Sequence, residues 1–98
     1  MKMHKRTRKL SIPVEVKAVV LERDKTCIYC SRQGFPDAHY ISRAHGGLGI
    51  EQNIVTLCRR CHDEFDNGRF PGLYRKIIQR YLWDKYPGFT DDMRIYKK

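Results

Sequence analysis

Two Cys-x-x-Cys pairs constrain this chain more than any other feature. Cys27 and Cys30 form one, Cys58 and Cys61 the other, with 27 residues between them. A chain of 98 residues has a thin apolar core, and a metal staple is a natural supplement. Each pair puts two thiolates within reach of one tetrahedral ion, with Zn–S near ~2.3 Å. Two disulfides or an iron–sulfur centre are the alternatives. The pairing favours zinc, and no apolar run follows the basic N-terminus as a secretory signal would require. Four sulfurs leave no position for a substrate, so the ion is read as structural. Four thiolates on a dication leave the centre doubly negative, and Arg32, Arg59 and Arg60 are close enough in sequence to offset it.

Charge narrows the partner. Lys and Arg number 20 against 11 Asp and Glu, a net charge of +9, which on so small a domain points to a polyanion. No stretch approaches the ~20 apolar residues of a membrane span. The N-terminal arm, 1–10, holds Lys2, Lys5, Arg6, Arg8 and Lys9 with no acidic residue. It is expected to be mobile in isolation and able to follow a phosphate backbone. The alternative is a solubility tail.

Pro13 suits a first helical turn, and the helix it opens should run to about Asp24 with Val14, Ala18 and Leu21 on one apolar face and Val19 and Val20 beside them. A short strand is predicted over 37–41, a glycine-rich loop over 44–52, and a second extended run over 54–57. A helix should follow from Arg59 or Arg60 to Asn67-Gly68. A last helix, from Pro71 to about Tyr86, combines an apolar face of Leu73, Tyr74, Ile77, Ile78, Tyr81 and Leu82 with a polar face of Arg75, Lys76, Gln79 and Arg80. Residues 91–98 read as a loose tail, leaving 11–90 as one domain without repeats.

Between and beside the cysteine pairs lies a second constellation: His39, Asn53 fourteen residues on, and His62 nine later, directly after Cys61. Singly these would be a strand histidine, a turn asparagine and a surface histidine or spare zinc ligand. Together with Gly46-Gly47 and Leu57-Cys58, in this order and spacing, the stretch resembles an HNH endonuclease of the kind braced by a four-cysteine zinc site. The resemblance covers roughly 13–66, with the motif core at 27–66 and both tails outside it. It implies an α+β fold: a small ββα-metal core, zinc-stapled, with flanking N- and C-terminal helices. It further implies metal-dependent hydrolysis of DNA, leaving 5′-phosphate and 3′-hydroxyl ends. His39 would be the general base that activates water, since its pKa near ~6.5 lets it accept a proton at neutral pH. Asn53 would orient the base and its loop, and His62 would hold a catalytic Mg²⁺, Mn²⁺ or similar ion. Arg43, Lys5, Arg6, Arg8, Lys9, Arg75 and Lys76 would contact DNA, with Arg80 beside them, and the N–H groups opening the helix near Arg59 would favour an anion.

The chain departs from the family where a metal ligand usually precedes the base: that position is Ala38. Asp37 shares a strand face with His39, and Asp66 lies one helical turn from His62. Either carboxylate is a candidate for the missing ligand, with Asp66 ahead and His45 weaker. Asp66 could instead cap its helix or pair with Arg69. Ser42 replaces a proline common in the family. Tyr40 is the next candidate base after His39. The rival reading is a zinc-stapled nucleic-acid-binding module with weak or no cleavage, and RNA is a lesser variant of the substrate. One active site cuts one strand per visit, so a double-strand break would need a dimer or two visits; a monomer or weak dimer is expected, in a larger phage or restriction assembly or alone. The setting expected is cytoplasmic, in a microbe or a phage-infected cell.

Overall fold

The computed structural model describes residues 5–97; the first four residues, Lys2 of the basic arm among them, and Lys98 lie outside the described residues. Four helices, α1 (Lys5–Leu10), α2 (Val14–Asp24), α3 (Arg59–Asn67) and α4 (Pro71–Lys85), surround a two-stranded antiparallel sheet of β1 (Phe35–His39) and β2 (Ile54–Leu57). Short 3₁₀ turns cover Arg43–His45 and Asp91–Arg94. The order β1, loop, β2, α3 is the ββα unit, in an α+β domain. The core lies between the sheet and the last two helices: Ala38, Tyr40, Val55, Leu57, Phe65, Ile78 and Leu82 pack with Cys27, Cys58 and Cys61.

All four β2 residues are buried; Ile54, Val55 and Leu57 are apolar, and Thr56 is the polar exception, its Oγ1 buried without a hydrogen-bond partner. One edge of β2 pairs with β1, Ala38 opposite Val55 and His39 opposite Ile54. The other edge is closed without a third strand. Arg23 Nη2 donates to the Ile54 carbonyl at 2.7 Å, Asp24 Oδ2 accepts from Thr56 N at 2.8 Å, and Ile28 N donates to Thr56 O at 3.0 Å. Arg23 and Asp24 also pair with each other, at 2.6 Å, and Tyr81 of α4 donates to Asp24. The Ile54 carbonyl and both backbone groups of Thr56 thus find partners on this edge.

β1 ends at His39, two residues before the predicted end. Tyr40 N still donates to Asn53 O, at 2.8 Å. At Ile41 the asparagine side chain takes over: Oδ1 accepts from Ile41 N at 2.9 Å and Nδ2 donates to Ile41 O at 3.1 Å. A side-chain amide replaces the next peptide of the ladder.

Three other expectations are overturned. The predicted apolar face of α2 is not its packing face: Val14 is 77% exposed and Leu21 41%, whereas Val20 is fully buried. A two-stranded sheet is too narrow to cover more, and the Arg23–Asp24 network fixes the helix's angle. On α4, Ile78 and Leu82 are buried while Leu73 and Ile77 face solvent, because α3 and the sheet cover only one stripe. The tail, expected to be loose, is docked through 97. Arg94 is buried over the Tyr40 and Phe89 rings and donates to Gln52 O at 2.6 Å. Leu48 N donates to Arg94 O and Tyr96 N to Gly46 O, both at 2.8 Å. The glycine loop leaves backbone groups that the tail satisfies.

Residues 5–10 of the N-terminal arm form α1, which is anchored to the domain at its end. Leu10 is 2% exposed, and the Lys9 carbonyl accepts from Gly49 N at 3.0 Å. No helix among the described residues is long and apolar enough to cross a membrane.

Candidate active site and metal centre

The four cysteine sulfurs lie within 4.8 Å of one another. Each pair closes as a knuckle: Cys30 N points at Cys27 Sγ at 3.5 Å, and Cys61 N at Cys58 Sγ at 3.4 Å. Cys58 caps α3, where free N–H groups favour a thiolate. Burial opposes its ionisation, yet the Cys61 N–H and the surrounding thiols bring Cys58 down to about 7. Burial pushes the Cys61 thiol up, and its three sulfur neighbours push it further. Four sulfurs this close cannot all ionise without a cation between them. The set fits a tetrahedral metal such as zinc. Arg32 and Arg60 line a cleft of about 460 Å³ beside the sulfurs, with Tyr29, Glu64 and Tyr74. Arg59 does not join them: it donates to Asp37 Oδ2 at 3.1 Å and stacks 4.1 Å from the Phe35 ring.

The other face of the ββα unit holds the histidines. His39 closes β1, half-buried, and its Nε2 lies 2.8 Å from the Leu10 carbonyl. A carbonyl only accepts, so Nε2 carries the proton and Nδ1 of neutral His39 is left with its lone pair. Burial lowers the pKa of His39; Arg43 and His62 act the same way, and the Leu10 carbonyl and Asp66 oppose them. His62, on α3, sits between two carboxylates. Its Nδ1 is 3.5 Å from Asp37 Oδ1, and its Nε2 is 3.1 Å from Asp66 Oδ2. Asp37 Oδ1 is buried and makes no hydrogen bond. Because the two carboxylates flank opposite ring nitrogens, one ion bound to His62 has one of them for company, not both.

Asn53 is fully buried and belongs to the loop. Besides the two bonds to Ile41, its Nδ2 donates to Leu48 O at 2.9 Å. A Cβ on Gly47 would strike the Ile41 carbonyl and crowd this amide, so only glycine fits there. Ala38 points the opposite way from His39, fully buried in the core. Tyr40 shares that core; burial pushes its phenol above the ordinary range, and it donates to Asp91 at 3.3 Å. The exposed His45 binds the Ser42 hydroxyl at 2.7 Å. Of the basic residues, Lys5, Arg6, Arg8, Lys9, Arg43, Arg75, Lys76 and Arg80 are all exposed. Arg75 lies over the Tyr40 and Phe65 rings and donates to Tyr40 O at 3.3 Å. Asp66 pairs with His62 and not with Arg69. The roles of Leu10 and Arg59 carried no sequence signal: a backbone carbonyl has no residue type, and an arginine after a cysteine knuckle reads as charge compensation.

A ββα unit, two cysteine knuckles closing on one point and a histidine-carboxylate face make up a small domain with a four-cysteine cluster placed to hold a metal. Residues 27–67 match the family model of the HNH endonucleases. Searches of curated proteins and of solved structures returned no match.

Proposed function

We propose that this protein is a metal-dependent endonuclease that hydrolyses DNA phosphodiester bonds. The observation that carries this reading is the convergence of His39 with the His62–Asp66 pair on one open face of an HNH domain. His39 Nδ1 takes the proton from the attacking water while the Leu10 carbonyl holds the ring. His62 Nε2 and Asp66 would hold a divalent ion such as Mg²⁺ or Mn²⁺, and Asp37 would accept a hydrogen bond from the opposite ring nitrogen, fixing the tautomer as outer-shell carboxylates do. When bound there, the ion supplies Lewis-acid stabilisation of the phosphoryl and leaving oxygens. Arg43, near enough to lower the His39 pKa, grips a phosphate oxygen. Lys5, Arg8, Lys9 and Lys76 contribute charge along the backbone, and Arg75 positions the Tyr40 end of β1. Asn53 acts through the loop it clips.

One observation favours the second reading, a binding module without cleavage: Ala38 is sealed in the core, so the family's usual ligand position is closed. Nicking of supercoiled plasmid with Mg²⁺, Mn²⁺ or Ni²⁺, and its loss in EDTA, tests the choice. Metal-dependent nicks support the enzyme; a gel shift without nicks supports the module.

A further inference from the structure

The base and the N-terminal segment meet in a way the HNH match does not include, because the segment lies outside residues 27–67. Three contacts hold it beside the active site. Leu10 is buried to 2% exposure. Gly49 N donates to Lys9 O at 3.0 Å. Ser11 passes so close to Gly49 that a Cβ there would collide with the Ser11 carbonyl. Between these anchors, the Leu10 carbonyl accepts from His39 Nε2 at 2.8 Å. The same short stretch belongs to the basic helix α1, whose Arg6 also reaches the Arg43 carbonyl, at 3.4 Å.

We propose that residues 9–12 are a positioning element of the active site, holding His39 with Nε2 as donor and Nδ1 as the proton acceptor, so that the N-terminal segment sets turnover as well as DNA affinity. This rests on His39 being the base. A carbonyl on a segment pinned at both sides fixes the ring's orientation as well as its tautomer. A water molecule in its place would fix neither. Misplacement of a reacting group by an ångström costs up to about 100-fold in rate, and Leu10 is the side chain that sets the carbonyl's position.

The test uses the full chain loaded with zinc. In the wild type, ¹⁵N spectra of the imidazoles should show His39 as the Nε2–H tautomer alone; the Nδ1–H form would overturn the proposal without any activity measurement. Leu10→Ala should lower the single-turnover rate at saturating DNA by roughly 10- to 100-fold, with Kd for DNA changed less than about twofold, and should give mixed His39 tautomers. Leu10→Met, which refills the site, should restore both. Should Leu10→Ala not fold, Gly49→Ala displaces the same segment from the other side and should give the same split. A weaker Kd with an unchanged saturating rate in these variants would mean that the segment only binds, and the proposal falls. If His39→Ala also cleaves at the wild-type rate, the assignment of the base has failed and the positioning role with it; if only the Leu10 and Gly49 variants do, the base stands and the positioning role alone is lost.

Discussion

The cysteine centre and the histidine face share helix α3, and they are built on opposite terms. At the start of α3 the sulfurs converge on one point, their N–H···S contacts are made, and three of the four cysteines are buried. His62, next after Cys61, and Asp66, a turn further on, are partly exposed, and across from them Asp37 keeps a buried oxygen without a hydrogen bond. Closed coordination supplies rigidity; unspent ligand capacity on a rigid support is what a reactive site needs. The helix transmits one to the other, so His62 is aimed by cysteines that take no part in chemistry.

Breaking the cysteine end should have the largest effect. Cys61→Ser removes a ligand from a site whose metal affinity, on the order of 10–16 kcal/mol for comparable structural zinc, is folding free energy. The variant should be unfolded or aggregated by circular dichroism. Folded wild-type protein that elemental analysis finds free of zinc would break the comparison at its base.

Breaking the histidine face should leave the fold standing. His39→Ala should keep zinc, melting temperature and DNA affinity while single-turnover cleavage falls by about 10²–10⁴-fold, the usual value of a general base. The wild-type pH profile sharpens this. With His39 as the proposed base, the neutral ring is the form that would act, and burial lowers its pKa, so the rate should be level at neutral pH. It should decline only as pH falls through a midpoint below the ordinary ~6.5. A midpoint above that value would assign the proton to another group.

A smaller effect separates the two carboxylates. Asp66→Ala should raise the Mg²⁺ or Mn²⁺ needed for half-maximal nicking more than Asp37→Ala does; loss of an outer-shell partner typically costs about 10–100-fold in metal affinity. The reverse ranking would move the ion to the Nδ1 side of His62. Ala38→Asp, which would restore the family's ligand, should instead destabilise the protein, since it forces a carboxylate into a fully buried apolar position. A stable Ala38→Asp protein with a lowered metal requirement would contradict the packing described for β1.

The smallest effect concerns the arm. Because residues 5–10 also pack against the domain, substitution is cleaner than deletion. Lys5→Gln, Arg8→Gln and Lys9→Gln together should reduce the salt slope of DNA binding by up to about 0.9 per lost phosphate contact. An unchanged slope makes these side chains a solubility feature.

The sequence alone determined the parts whose signal is local. The knuckles follow from cysteine spacing, the bounds of β2 and α3 from a short β-branched run ended by a cysteine and a helix stopped by Asn67-Gly68, and α4 from its opening proline. The approach of His39 to the His62 helix was legible only through the family's spacing. Tertiary structure decided the rest, because each item depends on a distant partner that no periodicity encodes. Asn53 cuts β1 short by standing in for a peptide fourteen residues from His39. Arg23 and Asp24 turn a nominal apolar helix face outward by anchoring α2 through its last turn. Arg94 ties down a polar tail because backbone carbonyls and two aromatic rings shelter its charge. The Leu10 carbonyl reaches His39 across 29 residues, and a backbone oxygen, identical in every residue, takes its role from position alone.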